Sequence, residues 1–265
     1  MKPEKNVQFV MKQKQEQWQK LNTLSVMLTV MVKQMQKILN SKNNLITYAI
    51  LVVFFAVALI WSQTGEMPRK IQNLLVPLCI YSILAVSLNL VVGVLGDLSL
   101  GHAGFMCIGA YTGAVFTNIF ETVIPNDFIR FGLALLIGGA FAALFGFVIC
   151  IPVLRLKGDY LAIVTLAFGE IVRTVFKNLP WFGKAMGLST NSVKFGKKDF
   201  PLFIIVFITV LIVLFFVQNL VRSKHGRAIT AIRDNEIAAK AMGINVTYYK
   251  LFVFVIAAFF AGIAG

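Results

Sequence analysis

Acidic residues are scarce in this chain. It has 11 Asp and Glu against 25 Lys and Arg, and charged residues of all kinds make up only 14%. A soluble domain normally carries about a quarter charged residues, so an ordinary globular fold is excluded. Histidine is rarer still, with only His102 and His225, on different segments. There is no H-E-x-x-H, no C-x-x-C, no phosphate-binding glycine loop and no pair of carboxylates within one apolar segment. Metal-dependent and nucleophilic chemistry lack their residues, and the chain is expected not to be an enzyme. The three cysteines, Cys79, Cys107 and Cys150, all lie inside apolar runs, and an odd number so placed argues against a disulfide framework.

What is present is apolar sequence, 58% of the residues. Several runs reach the bilayer length of about 20 residues. The expected fold is all-α, a polytopic transmembrane helical bundle. Spans are expected at 45–61, 71–92 (with Pro77 inside), 99–120, 128–151, 160–179 and 200–220, and a further one begins at 251. That last run ends after fifteen residues at A-G-I-A-G, with no charge or aromatic anchor, so the chain is expected to be C-terminally incomplete.

Residues 1–44 differ from the rest. They hold eight lysines against Glu4 and Glu16, and Leu24, Met27, Leu28, Met31, Met35, Ile38 and Leu39 recur at helical spacing. A basic amphipathic helix on an anionic lipid leaflet fits; a disordered polar tail is the alternative. Basic loops mark the cytoplasmic side. The N-terminus, 152–159 and the loop 221–250 are therefore expected inside, and acidic 121–127 outside. This requires 160–179 to cross, and it leaves Lys184, Lys194, Lys197 and Lys198 outside, against the rule.

Within the basic loop, A-I-R-D-N-E-I-A-A-K-A-M-G (231–243) reads as a short helix. Asp234 is expected to cap it, Glu236 to suit its dipole in the first turn, and Gly243 to stop it after about eight residues. Ile237, Ala238, Ala241 and Met242 would share one face. The segment is either a knob shaped for a socket on another protein or an ordinary capped loop helix.

The membrane segments carry three further signals. Ala134, Gly138, Ala142, Gly146 and Cys150 recur every fourth residue, a close-packing seam, and Gly109 and Gly113 repeat the theme. Glu170 and Arg173 are spaced to pair within an expected span, as a structural ion pair or as part of a solute path. The run 93–111, G-V-L-G-D-L-S-L-G-H-A-G-F-M-C-I-G-A-Y, is glycine-rich enough for a broken helix, with a positive φ expected at Gly101. Ser99 and His102 beside it are candidates for the translocation path; for His102, a hydrogen-bonded packing role is the alternative.

Three blocks then carry a resemblance: S-L-G-H-A-G-F-M-C-I-G-A-Y from Ser99, L-R-L-K-G-D-Y-L-A-I-V-T-L-A-F-G-E-I-V-R from Leu154, and G-R-A-I-T-A-I-R-D-N-E-I-A-A-K-A-M-G-I-N from Gly226. In order and spacing the chain resembles the LivM-type permease subunits of branched-chain amino acid ABC importers, over roughly 74–265. The resemblance implies a permease with a second related permease, two cytoplasmic ATPases and an extracytoplasmic binding protein as partners, in a prokaryotic inner membrane. Lipid surrounds it, and nucleic acid is not among its partners. No cofactor is expected in this chain, because ATP would be bound by the partner subunits. The stretch 236–243 matches the loop that engages the ATPase. There, Asp234, Glu236, Ile237, Ala238, Ala239, Met242 and Gly243 become the expected docking residues. The family's E-A-A-x-x-x-G is altered here to E-I-A-A-K-A-M-G, and a T-G-G expected before M-G-L is replaced by F-G-K-A at 182–185. The tail 1–44 has no counterpart, and the family continues for several more spans. Other readings are a permease of the same superfamily for urea, an amide or a sugar, or a channel without an ATPase. A channel or an enzyme would not need the docking knob.

Overall fold

The computed structural model describes residues 53, 55, 69–124, 126–153, 159–179, 188 and 200–265. The tail 1–44, most of the expected first span and the basic residues at 155, 157, 184, 194, 197 and 198 lie outside them. Among the described residues every regular element is helical and there is no strand. The elements are α1 (Arg69–Asn89), a π-helical turn (Leu90–Leu95), α2 (His102–Ile119), α3 (Asp127–Val153), α4 (Asp159–Asn178), α5 (Phe200–Arg222), α6 (Lys224–Asp234), α7 (Glu236–Ala241) and α8 (Val246–Ala264). Among the described residues, four stretches are long and apolar enough to cross a membrane: Leu74–Leu95, Asp127–Val153, Leu202–Arg222 and Val246–Ala264. Helices do form at the expected third and fifth spans, but α2 is diluted by His102 and Asn118, and α4 by Glu170, Arg173 and Lys177. The protein is a multi-pass α-helical membrane protein.

The small-residue seam is the organising contact. Ala134, Gly138, Ala142, Gly146 and Cys150 are all buried along α3. They meet α8, where Ala257, Ala258, Ala261 and Gly262 are buried in turn. A β-carbon on Gly146 would lie 2.6 Å from the Ala258 methyl, and one on Gly109 of α2 would run into the Gly262 backbone. Apolar side chains gain little by leaving lipid for protein, so this backbone-to-backbone approach is what the small residues supply. Around the seam, Leu90, Val91, Phe105, Ile108, Val253 and Phe254 fill the core. On another side α5 packs against α1, and Phe55 stacks on Phe207 at 3.7 Å.

The glycine-rich run does break the helix, between Gly96 and Gly101. α1 runs into the π-helical turn, which ends on Gly96 in the left-handed conformation (φ 88°), its amide donating to the Val91 carbonyl at 3.0 Å. The chain is then irregular to Gly101, which precedes α2 with an ordinary φ of −88°. The expectation of positive φ at Gly101 is therefore corrected. Glycine is required there because a β-carbon would collide with the Thr165 carbonyl of α4. Leu100 donates its N–H to the Thr165 hydroxyl at the same crossing, 3.1 Å away.

Candidate functional site

The loop 221–250 folds as two capped helices set at a corner. Ser223 caps α6 by accepting from the Gly226 N–H at 3.2 Å. Ile229 and Ile232 of α6 are buried, anchoring it to the bundle. Asn235 is extended (φ −157°, ψ 104°) and separates α6 from α7. Its side-chain oxygen accepts from the N–H groups of Ile237 and Ala238, both at 3.0 Å. The cap is thus Asn235 and not Asp234. A capping residue must leave helical geometry, and Asp234 is the last residue of α6, its carboxylate paired with Arg233 at 3.1 Å. This shortens the expected eight-residue helix to six.

Gly243 ends α7 as its residue type suggests, in the left-handed region (φ 82°). Its N–H donates to the Lys240 carbonyl and that of Ile244 to the Ala239 carbonyl, the paired closure of a Schellman turn. Ala239 is buried with Ile232 and Val246 and half-buried Ile244. It is therefore withdrawn from the expected docking surface: its methyl faces inward and holds α7 to its own chain. Ala238 and Ala241 are exposed, and Ile237 and Met242 project at 82% and 83% exposure.

Charges surround this surface. Glu236 accepts from Lys240 at 2.7 Å and lies 3.4 Å from the Lys250 ammonium. The hydrogen bond from Lys240 holds its carboxyl below the usual carboxylate range, against the opposing effect of partial burial and with help from Lys250. Lys250 also pairs with Asp97 at 3.1 Å, and Arg233 donates to the Gly93 carbonyl at 2.9 Å.

The four candidate path residues are not brought together. Ser99 and His102 are buried, 2% and 4% exposed, and the His102 ring bonds the Ser87 hydroxyl through Nε2 at 2.9 Å and meets Phe105 edge-on. His102 sits where the start of α2 meets Ser87 of α1, in the hydrogen-bonded packing role that was the alternative reading for it. Glu170 and Arg173 form the expected pair at 3.0 Å, but at 63% and 66% exposure. The expected buried setting is corrected; the pair sits on the outward face of α4. A cavity of ≈ 460 Å³ opens between α1, α2, α3, α5 and α8, and none of the four candidate residues lines it. Its polar side chains are Thr117 and Thr209.

Sequence reasoning missed Arg130. This arginine is 2% exposed and gathers the turn before α3, bonding the Glu121 and Ile124 carbonyls and pairing with Asp127 at 2.6 Å. The D-x-x-R spacing was a readable signal. Arg233 and Lys250 gave none, because their partners Gly93 and Asp97 lie 140 and 153 residues away.

Residues 70–265 match the sequence family described as the permease component of the branched-chain amino acid transport system. The chain belongs to this family. Among named relatives it is similar to the high-affinity branched-chain amino acid transport system permease protein LivM of Escherichia coli, 40% identical over 215 residues, covering 70% of this chain and 49% of that protein. The Salmonella typhimurium protein of the same name is 39% identical over the same shares. A probable branched-chain amino acid transport permease protein LivM of Methanocaldococcus jannaschii is 27% identical over 219 residues, 63% of its length. The chain thus spans about half the length of the first two relatives. No solved structure matches it.

Proposed function

We propose that this chain is a membrane subunit of an ATP-driven importer for leucine, isoleucine, valine or a similar amino acid. It forms part of the translocation path without catalysing a reaction, and it couples that path to ATPases that bind the nucleotide. The observation that carries the reading is α7: a helix capped at both ends that presents Ile237, and with it the C-cap residue Met242, almost fully exposed, in a chain of this permease family. Large apolar side chains held out on a stable corner suit an apolar groove on a partner. The docking set is Glu236, Ile237, Ala238, Met242 and Gly243, with Asp234 at its edge.

The remaining partners are a second related permease and an extracytoplasmic binding protein. The membrane is the inner membrane of a prokaryote, with the N-terminus and loop 221–250 cytoplasmic; the basic residues Arg222, Lys224, Arg227, Arg233, Lys240 and Lys250 support that side. Charges are costly against lipid, so the outward Glu170–Arg173 pair is assigned to a protein contact or wet path beside the second permease. The test is reconstitution with the other subunits in vesicles. ATP-dependent uptake of radiolabelled leucine, competed by isoleucine and valine, is expected. Uptake that proceeds equally without ATP would replace this reading with a channel.

A further inference from the structure

We propose that Asp97, Lys250 and Arg233 are positioning residues that tie the docking helix α7 to the helix break before α2, so that displacement of one displaces the other. The inference rests on the functional reading above for what binds α7. It goes beyond it in naming where the motion is delivered and by which side chains.

Two separate links join the sites. Lys250, near the start of α8, bridges Glu236 at 3.4 Å and Asp97 at 3.1 Å, with only 18% of its side chain exposed. Glu236 is the first residue of α7, and Asp97 is the first residue beyond the left-handed Gly96. On α6, next to the Asn235 cap, Arg233 donates to the Gly93 carbonyl inside the π-helical turn. Its aliphatic stem lies over Gly96, where a β-carbon would come within 2.6 Å of its Cγ. Charge-assisted bonds between partly buried groups are the stronger kind and are little screened. They join a rigid element to the one point where the path from α1 to α2 is not regular helix, a π-turn followed by irregular chain.

The elements that the links connect also have supports of their own. α7 is held by the Asn235 cap, the buried Ala239 and the Schellman turn. α2 and α8 are held by their seam with α3. Bonds that run from a docking surface to a backbone break are placed to carry displacement from one to the other.

The experiment measures leucine uptake and ATP hydrolysis on the same vesicles containing the whole complex. In Asp97→Asn the ATPases are expected to co-purify and to hydrolyse ATP, while leucine moved per ATP falls about tenfold, within the usual range of site-to-site coupling. Because Lys250 holds Asp97 and Glu236 together, the losses in Asp97→Asn and Lys250→Gln are expected not to add in the double variant. An unchanged ratio in Asp97→Asn, or strictly additive losses in the double variant, overturns the proposal. So does a parallel fall of uptake and hydrolysis, which marks a merely structural pair. If Asp97→Asn does not accumulate in the membrane, Lys250→Gln, which removes the same bridge from its other end, is read in its place against the same outcomes. Absence of ATPases or of leucine uptake in the wild-type complex would instead strike the functional reading itself.

Discussion

Ala239 and Ile237 are two residues apart and do opposite things. The Ala239 methyl is packed under Ile232 and Val246, while Ile237 stands in the open. Ala239→Asp would bury an unpartnered carboxylate, costing about 1–3 kcal/mol. The expected outcome is a lower melting temperature of the isolated subunit, seen without any ATPase present. Arg130 carries a comparable burden. Removing its guanidinium leaves two carbonyls and Asp127 without it, and because Asp127 is 30% exposed the cost is expected at the low end for a broken buried pair, about 3 kcal/mol. Arg130→Met should therefore lower the same melting temperature. Glu170→Gln should not, since an exposed pair contributes about 0–1 kcal/mol. Folded yield near wild type with reduced uptake is expected there, and a loss of yield would show that the pair serves folding.

At the scale of elements, the seam between α2, α3 and α8 was legible. Every-fourth small residues in an apolar run have one main use, and all five on α3 are buried. The position of the helix break was only half legible. Four glycines in twelve residues announced irregular backbone, but nothing in residue type separates Gly96, which adopts positive φ, from Gly101, which avoids a collision with Thr165. The cap of α7 failed for a similar reason. Asp234 and Asn235 are both good capping residues, and only the extent of α6 decides between them. Gly96→Val combines a β-branched residue at positive φ, about 1–2 kcal/mol in backbone alone, with displacement of Arg233. It is expected to abolish uptake, and it should do so even where ATPase co-purification persists, because α7 keeps its own supports. Normal uptake in Gly96→Val would mean that the break carries no function.

For the whole molecule, a membrane bundle with a basic loop was readable from charge scarcity and apolar runs, because bilayer length and backbone satisfaction leave few alternatives. Contacts over more than a hundred residues were not, and those are the ones that join α7 to the break. Orientation has a direct check. With His225 exposed in the first turn of α6, His225→Cys should react with an impermeant thiol reagent in inverted vesicles and not in intact cells. Reaction in intact cells would reverse the assignment of sides. The central claim is that the exposed face of α7 is the ATPase contact. Ile237→Asp with Met242→Asp places two charges on that face while leaving the Asn235 cap, Ala239 and the Schellman turn intact. Co-purification of the ATPases with the membrane subunits tests it most directly. A complex that keeps both membrane subunits, with an unchanged melting temperature, but loses its ATPases is the expected result; full ATPase stoichiometry in the double variant would contradict it.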